Sequence, residues 1–199
     1  RERAGKHPAN AIWFWGEGRR PALAPFHEMR GVRGGVISAV DLIQGIGKCA
    51  GMRVIRVEGA TGNYRTNFAG KGRAAIDALS TDCDLVYIHI EAPDECGHQC
   101  QIREKVYAIE QIDAHIVRPV LAYLDGTGDD YAALVLPDHP TPVHLRTHTG
   151  DPVPFALYRR GDHADCIACH LLPRRGQSVR SERSGVSLGG QASRAQRQN

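Results

Sequence analysis

The sequence predicts an α/β fold, a three-layer αβα arrangement around a mainly parallel sheet. Three observations carry this expectation. Short apolar runs rich in Val and Ile, bounded by Gly, Asn or Asp, recur along the chain. Between them lie segments whose apolar residues step by three or four, the period of an amphipathic helix. Strands alternating with helices need crossover connections, and these give a sheet that is mainly parallel and covered on both faces. At 199 residues, with 42% hydrophobic and 24% charged residues, the chain has the length and composition for one such domain with a real core.

The elements follow in order. "AIWFW" (residues 11–15), between Asn10 and Gly16, suits a buried strand, and "GEGRRPALAPF" a loop. "GGVISAV" (34–40) is the next strand. Asp41 leads into a helix in which Leu42, Ile43, Ile46 and Cys49 keep helical spacing, and Gly51 stops it. "MRVIRV" (52–57) is a third strand. "EGATGNYRTNFAGKG" is rich in turn formers and reads as an exposed loop. A helix covers residues 74–79 and ends near Ser80. "DLVYIHI" (84–90) is the strongest strand, and "EAPDECGHQ" follows it directly. Residues 102–124 form a long amphipathic helix on Val106, Ile109, Ile112, Ile116 and Val120, kinked at Pro119. "YAALVL" (131–136) and "PFALY" (154–158) are the last strands.

After Arg160 the periodicity is lost. Residues 161–199 are expected to be a basic, disordered tail on a domain spanning 1–160. That tail holds six Arg against three acidic residues, which accounts for the whole net charge of +3. Residues 1–160 therefore balance, and give no electrostatic reason to expect specific nucleic-acid binding. No run of eighteen or more apolar residues occurs, so no membrane span is expected. The N-terminal residues lack the apolar region of a secretory signal, and a cytoplasmic setting with its six cysteines reduced is expected. The chain opens without Met, as a piece of a longer protein would.

Ligands of parallel sheets bind beyond the carboxyl ends of the strands. Two polar clusters follow strong strands, at residues 91–99 and 137–151, so they are expected to converge at one sheet edge. Six of the ten histidines lie between His89 and His148, and four of those six fall in these two clusters. Asp94 and His98 are four apart, which puts both on one face of a helical turn, ready to grip one cation. Asp138 and His139 are adjacent, and a tight loop can turn both toward a two-metal site. His148 adds an imidazole after the rigid "PTP" turn. Carboxylate with imidazole suits Zn²⁺ or Mn²⁺, whereas carboxylates alone would favour Mg²⁺. His89, inside a strand, is expected to serve the core or to support a ligand, and His115 and His144 stand outside the ligand set. Arg19, Arg20, Arg65 and Lys71 occupy loops from which a phosphate is reachable, with surface solvation the default for each. Arg146 lies between the metal motifs as a supporting residue. Cys96 and Cys100 bracket His98, an alternative zinc cluster that loses to two idle thiols. "CIACH" (166–170) has the spacing of a haem-attachment motif without its setting, and reads as coincidence.

Five segments together carry a resemblance: "HPANAIWFWGEGRRPAL", "GGVISAVDLIQGIGKCAGM", "VEGATGNYRTNFAGKG", "VYIHIEAPDECGHQ" and "LVLPDHPTPVHLRTHTGDPVPFALY". They resemble the cofactor-independent (2,3-bisphosphoglycerate-independent) phosphoglycerate mutases of archaeal type, in the alkaline phosphatase superfamily. The resemblance runs from about His7 to Tyr158 and implies an alkaline phosphatase-like core, present in part. It implies one divalent metal on Asp94, His98 and His148, and a second on Asp138 and His139, and through the matching Gly-rich loop it favours Arg65 and Lys71 as substrate contacts. It also implies a phosphoserine route between 3-phosphoglycerate and 2-phosphoglycerate. Two cations side by side would lower the serine pKa and neutralise the phosphoryl charge. The nucleophilic serine and one further aspartate belong, in that family, to a half of the enzyme preceding the segment found here. Neither Ser38 nor Ser80 has the nucleophile's context. The catalytic residue is therefore unknown, the missing N-terminal half is an expected partner, and the isolated chain is expected to be a poor catalyst. A metal-dependent phosphatase on the same scaffold, or a non-catalytic metal-binding fragment, are the alternatives.

Overall fold

A computed structural model describes residues 2–5, 8, 10–12, 14, 17–160 and 168–171. After a short 3-10 turn at Glu2–Ala4, the regular elements begin with α1 (Phe26–Arg30) and β1 (Gly34–Ile37). They continue through α2 (Asp41–Cys49), β2 (Arg53–Ile55), α3 (Phe68–Thr81), β3 (Leu85–Ile88) and α4 (Ala92–His98). A continuous helical run follows: α5 (Ile102–Ile112), a π segment (Asp113–Val117) and α6 (Arg118–Thr127). The chain then forms β4 (Ala132–Val135), β5 (Pro154–Arg159) and β6 (Ala168–Leu171).

β1 is the centre of a parallel sheet in the order β2-β1-β3, with Val36 opposite both Val54 and Tyr87. Both faces of β1 are covered. On one side Gly47 of α2 sits where a Cβ would run into Val36. On the other, Gly35 faces Cys83, just beyond α3. Parallel strands covered on both faces, joined by helices, are the α/β arrangement the sequence predicts. Beneath α4 lies a core of Phe68, Ala92, Ala108 and Ile116, with Tyr64, Ile88, Ile90 and Ile112 packed on it. Ala92, the first residue of α4, has no exposed surface, so this core fixes where α4 starts.

The remaining strands pair differently. β4, β5 and β6 form a separate antiparallel sheet in that order, with Leu134 opposite Leu157. Thus β3 and β4, whose following loops carry the two polar clusters, lie in different sheets. Several elements also correct the sequence reading. Of the expected strand at residues 11–15, the described Ala11, Ile12 and Phe14 lie outside any strand, and Ile12 and Phe14 are exposed; among the described residues no strand pairs with them, and apolar character alone makes no ladder. α3 starts at Phe68, six residues before the expected helix, because Asn67 caps it by accepting from the N–H of Gly70. Its glycines permit close packing: a Cβ at Gly72 would strike the carbonyl of His115 in the π segment. That carbonyl is the one whose helical donor would be Pro119, which has no N–H, so the break expected at Pro119 is taken up as a π segment instead of a sharp kink. Of the expected tail, only Ala168–Leu171 are described, as β6 beside β5; the proposed boundary at 160, the rest of the tail and Cys166 of "CIACH" lie outside the described residues.

Candidate metal centre

Asp94 and His98 stand one turn apart on α4, as their spacing predicts. His148 comes to them from the long connection between β4 and β5, a loop length that usually accompanies function. One donor atom from each of these three residues lies within 4.8 Å of the others, the only such group among the described residues. The Nε2 atoms of His98 and His148 are 3.0 Å apart. Asp94 Oδ2 is 3.3 Å from His98 Nε2, and Asp94 Oδ1 is 3.2 Å from His148 Nε2.

The donor set fits a divalent cation. Ligand bonds of about 2.0–2.2 Å put neighbouring ligand atoms roughly 3.0–3.5 Å apart, the separations seen here. The tautomer fits as well. His98 Nδ1 lies 2.9 Å from the carbonyl oxygen of Arg146, which can only accept. His98 therefore carries its proton on Nδ1 and turns the lone pair of Nε2 toward Asp94 and His148, the arrangement typical of a metal-bound imidazole. Arg146 reaches this role through its backbone. It adopts φ 56, a left-handed conformation rare for a side chain of this size, after a turn in which the N–H groups of Leu145 and Arg146 both bond to Pro142.

Asp138 and His139 stand earlier in the same β4–β5 connection. The His139 ring lies against that of His148, tilted by 34° with centroids 3.7 Å apart. Its Nε2 is 3.4 Å from Asp138 Oδ2, while its backbone N–H donates to Asp138 Oδ1 at 3.0 Å. Asp138 is largely exposed, and its charge reaches back to the end of β3, where it acts on Tyr87 and His89. All five sequence-predicted ligands thus gather beyond the carboxyl ends of β3 and β4. His115 and His144 are exposed and stay outside the group.

The two sequence-predicted phosphate contacts separate. Lys71 is fully buried in the first turn of α3, not in a loop. Its Nζ meets no hydrogen-bond partner among the described residues, and burial brings the ammonium down to about 8, with Glu91 pulling it back up. Arg65 is exposed and lays its guanidinium over the ring of Tyr64, 5.4 Å from the centroid. Arg19 and Arg20 are exposed in the loop before α1.

Sequence reasoning missed three supporting residues, Thr141, Lys105 and Glu91; the fourth, His89, it expected to serve the core or to support a ligand. Thr141, buried between two prolines, donates its hydroxyl proton to Asp94 Oδ1 and lies 3.3 Å from His139 Nδ1. Lys105 donates to the Thr141 carbonyl at 2.8 Å, which ties α5 to the loop. Glu91 packs against Gly62, where a Cβ would collide with its carboxylate; burial raises its carboxyl, and Glu95 and Asp94 add to the effect. His89 is within 3.1 Å of the Ser38 hydroxyl, which also accepts from the N–H of Val40. Burial lowers the His89 imidazole and favours its neutral form. Thr141 alone left a signal: a hydroxyl fixed by two prolines beside a metal motif is placed to orient something. The thiols of Cys96 and Cys100 are free and take no part in the converging group, and burial raises that of Cys96.

The family model "Metalloenzyme superfamily" matches residues 2–184. The chain is 54% identical over 155 residues to a 2,3-bisphosphoglycerate-independent phosphoglycerate mutase of Methanosarcina mazei, a match covering 78% of this chain and 39% of that protein. It is equally 54% identical, over 154 residues, to a probable enzyme of that name in Geobacter sulfurreducens, covering 77% and 38%. Phosphoglycerate mutases are isomerases. The solved structure of the PH0037 protein from Pyrococcus horikoshii superposes with a TM-score of 0.60 at 32% identity, covering 69% of this chain and 40% of that one. The chain thus spans about two fifths of the length of these relatives. Its parallel sheet and covering helices are those of an alkaline phosphatase-like domain, and the chain belongs to the metalloenzyme superfamily.

Proposed function

We propose that the chain forms the greater part of the two-metal centre of a 2,3-bisphosphoglycerate-independent phosphoglycerate mutase. The single observation that carries this reading is the convergence of Asp94, His98 and His148, with the Nε2 lone pair of His98 turned toward the other two. Relatives bearing that name share more than half of the aligned residues. Asp94, His98 and His148 would hold one divalent ion, and Asp138 and His139 would supply part of the shell of a second. Imidazole-rich sets favour Zn²⁺ or Mn²⁺ over Mg²⁺. When bound, such ions stabilise the charge that builds up on a transferring phosphoryl group and on the oxygens it moves between.

The chain's own residues orient and neutralise. Lys71 offers a buried, unpartnered ammonium to a phosphate oxygen, an acceptor strong enough to offset its desolvation. Arg65 stands nearer solvent, suited to the approach of an anionic substrate. The overall exchange breaks the phosphorus–oxygen bond at one hydroxyl of glycerate and forms one at the other, by way of a serine oxygen. Ser38 does not suit that serine's part: it is buried, and its oxygen is engaged by Val40 and His89. The serine is assigned to the portion of the relatives that this chain does not span, and that portion is the expected partner. Cytoplasm is the compartment this reading assigns; among the described residues no helix is long and apolar enough to cross a membrane.

The test combines metal titration with a mutase assay, on the chain alone and after addition of a polypeptide covering the unspanned portion of the Methanosarcina relative. Metal binding alone, with isomerisation appearing only on addition, is the expected result. Phosphate release without isomerisation would make the centre that of a phosphatase. Metal binding with no turnover in either case would leave a non-catalytic metal-binding chain.

A further inference from the structure

Thr141 touches both candidate cation sites. It is 5% exposed, held between Pro140 and Pro142, with its carbonyl bonded to Lys105 and its backbone packed on Gly97 of α4. A hydroxyl has one proton to give. Asp94 is a carboxylate and accepts only, so the proton goes to Asp94 Oδ1. Toward His139 the same oxygen then has only lone pairs left, and the Nδ1 that faces it at 3.3 Å must be the donor. The proton of His139 is thereby placed on Nδ1, and Nε2 is left with a free lone pair 3.4 Å from Asp138 Oδ2. Two acceptors face each other there with no proton between them, as Asp94 and His98 do at the first site.

We propose that Thr141 is a positioning residue that couples the two sites through a directed chain, from His139 Nδ1–H to the Thr141 hydroxyl and on to Asp94. The chain orients the Asp94 carboxylate toward His98 and His148. It also selects the one tautomer of His139 able to donate Nε2 to a cation shared with Asp138. A cation drawing on Asp94 thus favours the His139 geometry that the second cation needs, and the second favours the first in return. The coupling rests on the two-metal reading, but the tautomer does not.

The experiment uses the full chain with ¹⁵N-labelled histidine, free of metal, at a pH where its imidazoles are neutral. The His139 resonances are expected to report Nδ1–H in the wild type and in Thr141→Ser. In Thr141→Val they are expected to move to Nε2–H or to an exchanging mixture. Titration with Mn²⁺ should then show affinity at both sites falling roughly ten- to a hundredfold in Thr141→Val and recovering in Thr141→Ser, the cost of losing a partner behind a ligand. Nε2–H at His139 in the wild type would overturn the proposal without any variant. So would an unchanged tautomer in a folded Thr141→Val, or equal affinity loss in the Val and Ser variants. If the wild type takes up no Mn²⁺ while the tautomer follows Thr141, the two-metal reading and the coupling fall together and the hydroxyl's control of His139 stands.

Discussion

The two ends of the parallel sheet use the same kinds of residue to opposite effect. At the end where β1 and β3 begin, two ion pairs match donor to acceptor. Arg33 gives its backbone N–H and two guanidinium nitrogens to Asp84, and Arg53 pairs with Asp82, which also accepts from Thr81. At the end where β3 finishes, the Nε2 lone pair of His98 faces the Asp94 carboxylate with His148 Nε2 beside both, and the buried ammonium of Lys71 meets no hydrogen-bond partner among the described residues. A rim whose donors and acceptors match is complete without a ligand. A rim with a lone pair facing a carboxylate in one place and an idle donor in another is one that a bound cation and anion would complete, as the proposed function requires. Divalent metal and phosphate are one such pair.

The largest effect that would test this contrast is loss of a first-site ligand. His148→Ala, or Asp94→Ala, should weaken Mn²⁺ or Zn²⁺ binding by more than about a hundredfold, beyond the loss expected when only an outer partner is removed. His115→Ala, on the exposed face of the π segment, should leave affinity unchanged. Calorimetric titration of the three variants measures this, and equal loss in all three would erase the distinction between the rims.

Next in size is Lys71→Met. A hydrogen bond from a charged group contributes about 1.5–3 kcal/mol, so binding of inorganic phosphate in the presence of Mn²⁺ should fall roughly ten- to a hundredfold. The folded chain itself should gain stability, because Met occupies the buried position without a charge to desolvate. The pH dependence has a definite sign. The ammonium sits at about 8 in the folded chain and near 10.4 when unfolded, so the unfolded chain binds more protons between these values. The wild type should therefore gain stability as pH rises from about 8 to about 10, and Lys71→Met should not. A wild type that loses stability in that window relative to the variant would mean the ammonium is paired.

How much of this was legible depended on the range of the interaction. The Asp94–His98 pair follows from helix geometry alone, but the two post-strand clusters meet across two sheets, β3 in the parallel one and β4 in the antiparallel one, and not along one parallel edge as expected. The "PTP" segment marks a rigid turn. The position of Lys71 was not legible, because Gly70 and Gly72 read as loop formers; their real use is to admit the Asn67 cap and the close approach of the π segment, both set by contacts distant in sequence or by a single side chain. The strand expected at residues 11–15 failed for a related reason. An apolar run specifies burial only where a neighbour exists to bury it, and pairing is a property of two segments. The partition into two sheets was hidden in the same way: "YAALVL" and "PFALY" each look like strands, but neither says which way its partner runs.

The smallest expected effect comes from the matched rim, and it tests the comparison from the other side. Asp84 is held at about 2 by the Arg33 guanidinium and backbone N–H, below the ordinary carboxylate value. A depressed carboxyl contributes stability that is present above its unfolded value and is lost as pH falls through its folded one. The wild type should thus lose this contribution between about pH 4 and about pH 2. Asp84→Asn cannot ionise, so its own loss over that window should be smaller, while at neutral pH it should be slightly less stable than the wild type, since exposed pairs contribute little. Denaturant midpoints at pH 7, 4 and 2 give both comparisons. Metal affinity is the sharper readout. Asp84 lies at the far end of β3 from Asp94, and its oxygens are occupied by Arg33, so Mn²⁺ binding in Asp84→Asn should stay within about twofold of the wild type. A larger fall would show that the ion pair before the strand helps to set the ligands beyond it, and that the two ends of the sheet act as one.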